Sequence, residues 1–383
     1  MSADTPSSDP NAVRVMIVDD SAVIRGLYRK MIGEETGMEI VTDASNGQMA
    51  IDRVARTDVD VVVMDIEMPV LDGVSAIPGM LKAKPDIQII MSSTLTERNA
   101  EIALKALEAG ARDYIQKPTS KGDVARDGAF RNELCNKIRN LGKLRMQRST
   151  RASNQSASAA PAPQKDEGWR RHSSRGEGAV KIELRSPGHG KPSVLVVGSS
   201  TGGPQALQTF FKGVDKSIGI PILVVQHMPA KFTTILCGHI ERATGWPCRE
   251  AVEGDVPTAG QILLAPGGFH MVVNGTGAAR KISLNEDPPE NFCRPAVDPL
   301  FRTAAASFGG NVLGVVLTGM GNDGTKGGRA IVDNGGTIIA QDEETSVVWG
   351  MPGSVAAAGL CSAVLPLDEL PAKTFKLARG MAA

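Results

Sequence analysis

The chain has 383 residues, with 42 basic side chains balanced by 42 acidic ones and only 4% aromatic residues. At about 150 residues per domain, this length predicts two or three domains, each able to bury a core without disulfide staples. Zero net charge and scarce aromatic rings argue against a protein that works by neutralising phosphates or stacking bases, so no nucleic-acid partner is expected.

The N-terminal stretch MSADTPSSDPNA has neither a basic nor an apolar segment of the kind a signal peptide carries. Residues 1–12 are expected to be disordered. No run approaches the roughly 18 apolar residues of a membrane span, so no membrane insertion is expected. The five cysteines (135, 237, 248, 293 and 361) form no CxxC pair. That excludes a zinc ribbon or disulfide scaffold and predicts a reducing, cytoplasmic setting.

From residue 13 the pattern is strand, turn, helix, repeated. RVMIVDD, DVVVMDI, IQIIMSS and DYIQKP read as short strands ending in polar residues, with helical patterns such as 22–32 and 100–109 between them. Alternation of this kind predicts a parallel α/β sheet, whose ligands bind beyond the carboxyl ends of the strands. Those ends carry Asp19 and Asp20, then Asp65, then Ser92 and Ser93, then Lys117. A single Asp there would read as a helix cap, as Asp20 before SAVIRG could be. Three carboxylates at one sheet edge repel one another unless a cation sits among them, and a set of hard oxygen ligands suits Mg²⁺. Such a site, with Lys117 beside it, points to phosphoryl chemistry.

The acidic pair, the segment MDIEMPVLDG, the serine pair and Lys117-Pro118 together resemble response-regulator receiver domains. The resemblance implies a flavodoxin-like (βα)5 receiver over 13–146. It implies that a chemotaxis histidine kinase phosphorylates Asp65. Mg²⁺ would be held by Asp20, Asp65 and the backbone carbonyl of Glu67, with Asp19 supporting it through water. Lys117 would pair with the phosphoryl group. The sensing hydroxyl is assigned to Ser92, although spacing alone does not separate it from Ser93.

Residues 147–191 are rich in Ser, Ala, Pro, Gly and Arg, and Trp169, Val180, Ile182 and Leu184 are their large apolar residues. Such a segment buries too little surface to offset the entropy of ordering, so a flexible linker is expected. A docking segment around Trp169 or 180–184 is the alternative.

The second half, 192–383, holds 27 of the chain's 42 glycines. The strand 193–198 runs into GSSTGGP, whose Pro204 suits the first turn of a helix. A glycine-rich turn there either cradles a phosphate or exposes a nucleophile beside backbone N–H donors. A phosphate loop would need a GK[ST] ending, which is missing, and a nucleophile needs a base. The next strand, 220–226, ends in His227. The remaining histidines fall in the linker (172 and 189), a helix (239) or a loop (270). A third strand, 311–317, runs into TGMGNDG. Its GxGxxG spacing mimics a dinucleotide fingerprint, but Asp323 would repel a pyrophosphate there and makes better sense as the carboxylate that orients His227. Ser, His and Asp thus stand on three strand ends in an order unlike that of the α/β-hydrolases. A nucleotide-binding regulatory module is the competing reading.

GSSTGGP, VVQHMP and LTGMGNDG are similar to the catalytic domain of the chemotaxis methylesterase (CheB) family, and a receiver, linker and this domain form that family's architecture. The implied fold is α/β throughout: two parallel-sheet domains, the receiver and a doubly wound Rossmann-like esterase domain. The implied roles are Ser200 as nucleophile, His227 as general base and acid, and Asp323 as orienting carboxylate. Backbone N–H groups of Met320 and Thr201 would form the oxyanion hole, and no cofactor would serve the esterase step. The implied substrate is a glutamate γ-methyl ester, or a glutamine, on the cytoplasmic domain of a methyl-accepting chemoreceptor. The implied regulation has the unphosphorylated receiver cover the active-site face.

Overall fold

The computed structural model describes residues 9, 11–94, 96–117, 128–156 and 182–381. Residues 1–8 and the linker stretch 157–181, with Trp169 and Val180, lie outside the described residues.

The first domain is built from β1 (Val13–Val18), α1 (Ala22–Gly33), β2 (Met38–Ala44), α2 (Gly47–Val54), β3 (Val61–Asp65), α3 (Gly73–Ala83), β4 (Gln88–Ser93), α4 (Glu97–Glu108), β5 (Asp113–Gln116) and α5 (Gly128–Ser156). Its strands pair in parallel in the order β2-β1-β3-β4-β5. β1, β3 and β4 are almost wholly buried, because helices cover both faces of the sheet. Val15, Ile17, Val63 and Ile90 face α1 and α5, while Met16, Val62, Met64 and Met91 face α2 to α4. The N-cap of α1 is Ser21, whose Oγ accepts from Ile24 N at 3.4 Å. Asp20 is therefore not spent on capping that helix. β2 belongs to the βα unit expected between the strand ending in Asp19-Asp20 and the one ending in Asp65, but no apolar run marks it. Its residues are mixed in polarity and half-buried, as suits a strand at the sheet's edge.

The second domain contains β6 (Val194–Ser199), α6 (Gly203–Gly213), β7 (Ile222–Gln226), α7 (Phe232–Thr244), β8 (Cys248–Glu250), β9 (Ile262–Leu264), β10 (His270–Asn274), β11 (Lys281–Asn285), α8 (Val297–Phe308), β12 (Val312–Val316), α9 (Thr325–Asp333), β13 (Thr337–Gln341), α10 (Met351–Ala357), β14 (Cys361–Leu365) and α11 (Leu370–Ala378). Seven of these strands form one parallel sheet in the order β14-β13-β12-β6-β7-β9-β8. The chain winds outward from β6 through β7 to β9, then returns to the other side of β6 with β12. The strand order thus reverses between β6 and β12, which opens a crevice beyond their carboxyl ends. The expected α/β architecture of two parallel sheets is the observed one.

Two features depart from the sequence reading. β10 and β11 form an antiparallel hairpin beside the main sheet. It places His270 in a strand rather than a loop, where the buried ring accepts from Ala296 N at 3.2 Å. The expected linker also has structured ends. α5 continues to Ser156, and at the far end Arg185 N donates to Cys361 O (3.0 Å) and Gly188 N to Thr337 Oγ1 (2.9 Å). Among the described residues, no helix is long and apolar enough to cross a membrane.

Candidate functional site

The GSSTGGP turn follows β6 and is fixed to both neighbouring strands. Ser200 N donates to Thr318 O beyond β12 (3.0 Å). On the other side, Gln226 of β7 donates through Nε2 to Ser200 O (2.9 Å) and accepts from Ser199 Oγ (2.7 Å). Gly202 sits at φ +75°, a left-handed conformation that favours glycine, and starts α6. Gly319 has to be glycine because a Cβ there would lie 2.8 Å from the Ser200 Cβ. The two loops can approach this closely only without a side chain between them.

His227 is the first residue after β7, and its backbone N donates to Ser199 O (3.1 Å). Its Nε2 donates to Asp323 Oδ2 at 2.7 Å, with both side chains largely buried. Nδ1 is then the nitrogen left to serve a serine. Ser200, His227, Met320 and Asp323 line one cavity of about 1390 Å³. Among the described residues, no hydrogen bond joins Ser200 Oγ to the imidazole; in unliganded sites such contacts often tighten only when substrate binds. Neither the N–H of Thr201 nor that of Met320 meets a protein acceptor among the described residues, which leaves two donors available at the cavity.

Asp323 is held by five donors. Oδ2 accepts from His227 Nε2 and Val297 N (2.6 Å); Oδ1 accepts from Asn291 Nδ2, Asp298 N and Gly324 N, each at 2.9 Å. Burial pushes its carboxyl upward, but the His227 partner and these N–H groups outweigh burial and hold it down at about 2. For His227 burial acts downward, while the Cys293 thiol against the ring and the Asp323 carboxylate act upward and prevail. A carboxylate and an imidazole set against each other in this way can store and move one proton, as acyl-transfer chemistry requires.

In the first domain, ligand oxygens of Asp19, Asp20 and Asp65 lie within 4.8 Å of one another. Lys117 Nζ reaches Asp19 Oδ2 (2.8 Å) and Asp65 Oδ1 (2.7 Å). Asp65 is raised, first by burial and also by Asp19, against the pull of Lys117. Three carboxylates with one ammonium leave an excess of negative charge that a divalent cation would balance, so these residues fit Mg²⁺. Glu67 follows in an exposed turn. The sheet register separates the two serines. Ser92 pairs with Asp65 across β3 and β4, so their side chains share a face, whereas Ser93 points to the opposite one. Ser92 Oγ lies 2.6 Å from the Tyr28 hydroxyl in the core, and Ser93 Oγ donates to Thr94 O.

The two domains meet beside Ser200. Thr201 Oγ1 donates to Asp113 Oδ2 of β5 at 2.7 Å in a buried contact, and Lys137 backs the same carboxylate at 3.0 Å. Tyr114 stacks on Phe232 with ring centroids 4.6 Å apart. Gln205 Nε2 donates to Leu107 O (2.9 Å), and His239 pairs with Glu108 (2.6 Å). Asp113 opens its strand, so the strand-end pattern in the sequence does not point to it.

The CheB methylesterase family matches residues 195–374, and the response regulator receiver domain family matches residues 15–126. The chain is 48% identical to protein-glutamate methylesterase/protein-glutamine glutaminase 1 of Paramagnetospirillum magneticum, over 99% of each chain. It is 48% identical to the protein of the same description from Rhodospirillum rubrum, over 96% of this chain and 95% of that one. Among solved structures it is similar to the Thermotoga maritima CheB methylesterase catalytic domain, at 38% identity, covering 49% of this chain and 98% of that one with a TM-score of 0.47.

Proposed function

The chain belongs to the CheB methylesterase family with a receiver domain ahead of the esterase, and from that premise we propose how its residues perform and regulate the reaction. It is a chemotaxis protein-glutamate methylesterase and protein-glutamine glutaminase whose activity is controlled by phosphorylation of the receiver. The observation that carries the proposed catalytic roles is the buried 2.7 Å bond between His227 and Asp323 in the cavity that Ser200 lines.

Ser200 Oγ attacks the γ-ester carbonyl of a receptor glutamate while His227 takes its proton. The N–H groups of Thr201 and Met320 receive the negative charge that develops on the carbonyl oxygen. The C–O bond to the methoxy group breaks, and methanol leaves with the proton from His227. Water, deprotonated by His227, then cleaves the acyl-enzyme, restoring Ser200 and releasing a glutamate carboxylate. With a glutamine substrate, ammonia leaves in place of methanol.

In the receiver, Asp65 accepts a phosphoryl group from a histidine kinase, Lys117 pairs with that group, and Ser92 reports its arrival. Asp20, Asp65 and the Glu67 carbonyl, with Asp19 close by, would hold Mg²⁺, which would supply charge neutralisation for the transfer. The docked receiver inhibits by contact. Its Asp113 occupies the Thr201 hydroxyl next to the nucleophile, and its α4–β5 face lines the same cavity as Ser200, in the way of a receptor helix bound there. Phosphorylation adds charge at Asp65, at the far end of the same sheet, and biases the receiver away from this docked state.

Methanol release from a methylated receptor fragment, with and without a small phosphodonor, tests the regulation. Wild type should be stimulated and Asp65→Asn should not; stimulation that survives in Asp65→Asn counts against Asp65 as the acceptor. Asp113→Ala should raise the unstimulated rate by about tenfold, since a buried hydrogen bond to a charged group contributes roughly 1.5–3 kcal/mol to the docked state. An unstimulated rate equal to wild type would show that Asp113 does not hold the closed form.

A further inference from the structure

The conformation of the loop before α8 is unusual. Asn291 and Phe292 both have left-handed backbones, at φ +51° and +64°. Asn tolerates that region better than most residues, Phe poorly, and adjacent outliers of this kind persist where the surrounding structure enforces them. The pair gains one thing from the strain: it brings the Asn291 amide between two buried carboxylates. One Nδ2 proton goes to Asp323 Oδ1 (2.9 Å) and the other to Asp298 Oδ2 (3.0 Å).

Asp298 is as deeply buried as Asp323, each 1% exposed. The two acids cap each other's helices. Asp298, in the first turn of α8, accepts through Oδ1 from Gly324 N (3.0 Å) and Gly327 N (2.7 Å) at the start of α9. Asp323, just before α9, accepts from Val297 N and Asp298 N at the start of α8. Two carboxylates this close repel each other and compete for a shared proton. Burial and the neighbouring Asp323 both push Asp298 upward. A proton taken up between them would weaken the charge that faces His227.

We propose that Asn291 is a positioning residue: its amide bridges Asp298 and Asp323, keeps the pair from sharing a proton, and so fixes the carboxylate that orients His227. The orienting unit is then Asn291, Asp298 and Asp323, with Asp323 alone touching the imidazole. This rests on the catalytic roles proposed above. The other ionisable groups around the unit are Cys293, His270, and the Glu290–Arg302 pair, which is satisfied internally at 2.6 Å.

The test uses the full chain with phosphodonor on a methylated receptor fragment, with Ser200→Ala as the control for the underlying reading. Asn291→Ala should lower kcat by about 10²-fold, the scale of a small misplacement of a catalytic group, and leave KM nearly unchanged. The acid limb of its pH profile should move to lower pH. Without the amide one proton stays on the carboxylate pair, less negative charge faces the imidazole, and imidazolium is less favoured. Asp298→Asn sets an amide against the Asn291 amide and breaks the same bridge, so the double variant should lose little beyond either single one. Asn291→Ser keeps one donor and serves if the alanine variant does not fold. A kcat within about threefold of wild type, a loss carried by KM alone, or an unmoved pH profile overturns the inference. If wild type itself has no Ser200-dependent activity, the catalytic reading fails instead.

Discussion

Alanine at position 200 should abolish methanol release, with a loss on the order of 10⁶ in turnover by analogy with the best-studied serine hydrolase. The covalent route disappears with the Oγ, since the neighbouring hydroxyls are engaged elsewhere: Ser199 Oγ is turned away into a buried bond with Gln226, and Thr201 Oγ1 is bonded to Asp113. The variant should fold normally. What anchors the turn is Ser200's backbone, through Thr318 O and Gln226 Nε2, and alanine keeps both contacts. Thermal stability within about 0.5 kcal/mol of wild type is therefore expected, as for a substitution that removes no buried partner. A variant that is stable and as active as wild type would dismiss Ser200 as the nucleophile. The competing nucleotide-module reading predicts stabilisation by nucleotide that Ser200→Ala leaves untouched.

What was legible in the sequence followed one rule of α/β sheets, that polar residues beyond strand ends meet at a common edge. It brought attention to Asp19, Asp20, Asp65 and Lys117 in one domain and to Ser200, His227 and Asp323 in the other, because buried β-branched runs such as VVVMD and ILVVQ mark strand ends sharply. The rule says nothing about residues that reach a site from elsewhere. Asp113 acts on Thr201 across a domain boundary, and its only local signal, an acid opening a short strand, has no periodic pattern. Asn291 and Asp298 come from a loop and a first helical turn, where polar residues are ordinary. Their role depends on two helix N-termini meeting, which no single stretch of chain encodes. That Ser92 rather than Ser93 shares a face with Asp65 is visible only in the register of β3 against β4, since a one-residue shift moves a side chain to the other face.

Asp323→Asn should cost about 10⁴ in turnover, the scale seen when the orienting carboxylate of a serine protease becomes an amide. The change is nearly isosteric, but the geometry leaves the new amide no good orientation. Each carboxylate oxygen accepts at least two N–H donors, so wherever the NH₂ points it faces donors. Turned toward His227, it pushes the imidazole to present its unprotonated Nε2, and the proton moves to Nδ1, the nitrogen that must accept from Ser200. Turned the other way, it opposes Asn291 Nδ2 and the backbone N–H groups that start α8. Loss of the charge also removes one of the forces that raise His227, so the acid limb of the residual activity should shift to lower pH. The stability profile carries a separate signature. Asp323 is held at about 2 in the folded protein against 3.8 ordinarily. A depressed carboxyl stabilises the fold above its unfolded value and loses that contribution as pH falls toward its folded one. The wild type should therefore lose stability between roughly pH 4 and 2 that Asp323→Asn, already destabilised at pH 7, has no charge left to lose. Parallel acid-unfolding profiles for the two proteins would mean that Asp323 is not held ionised by the partners described here.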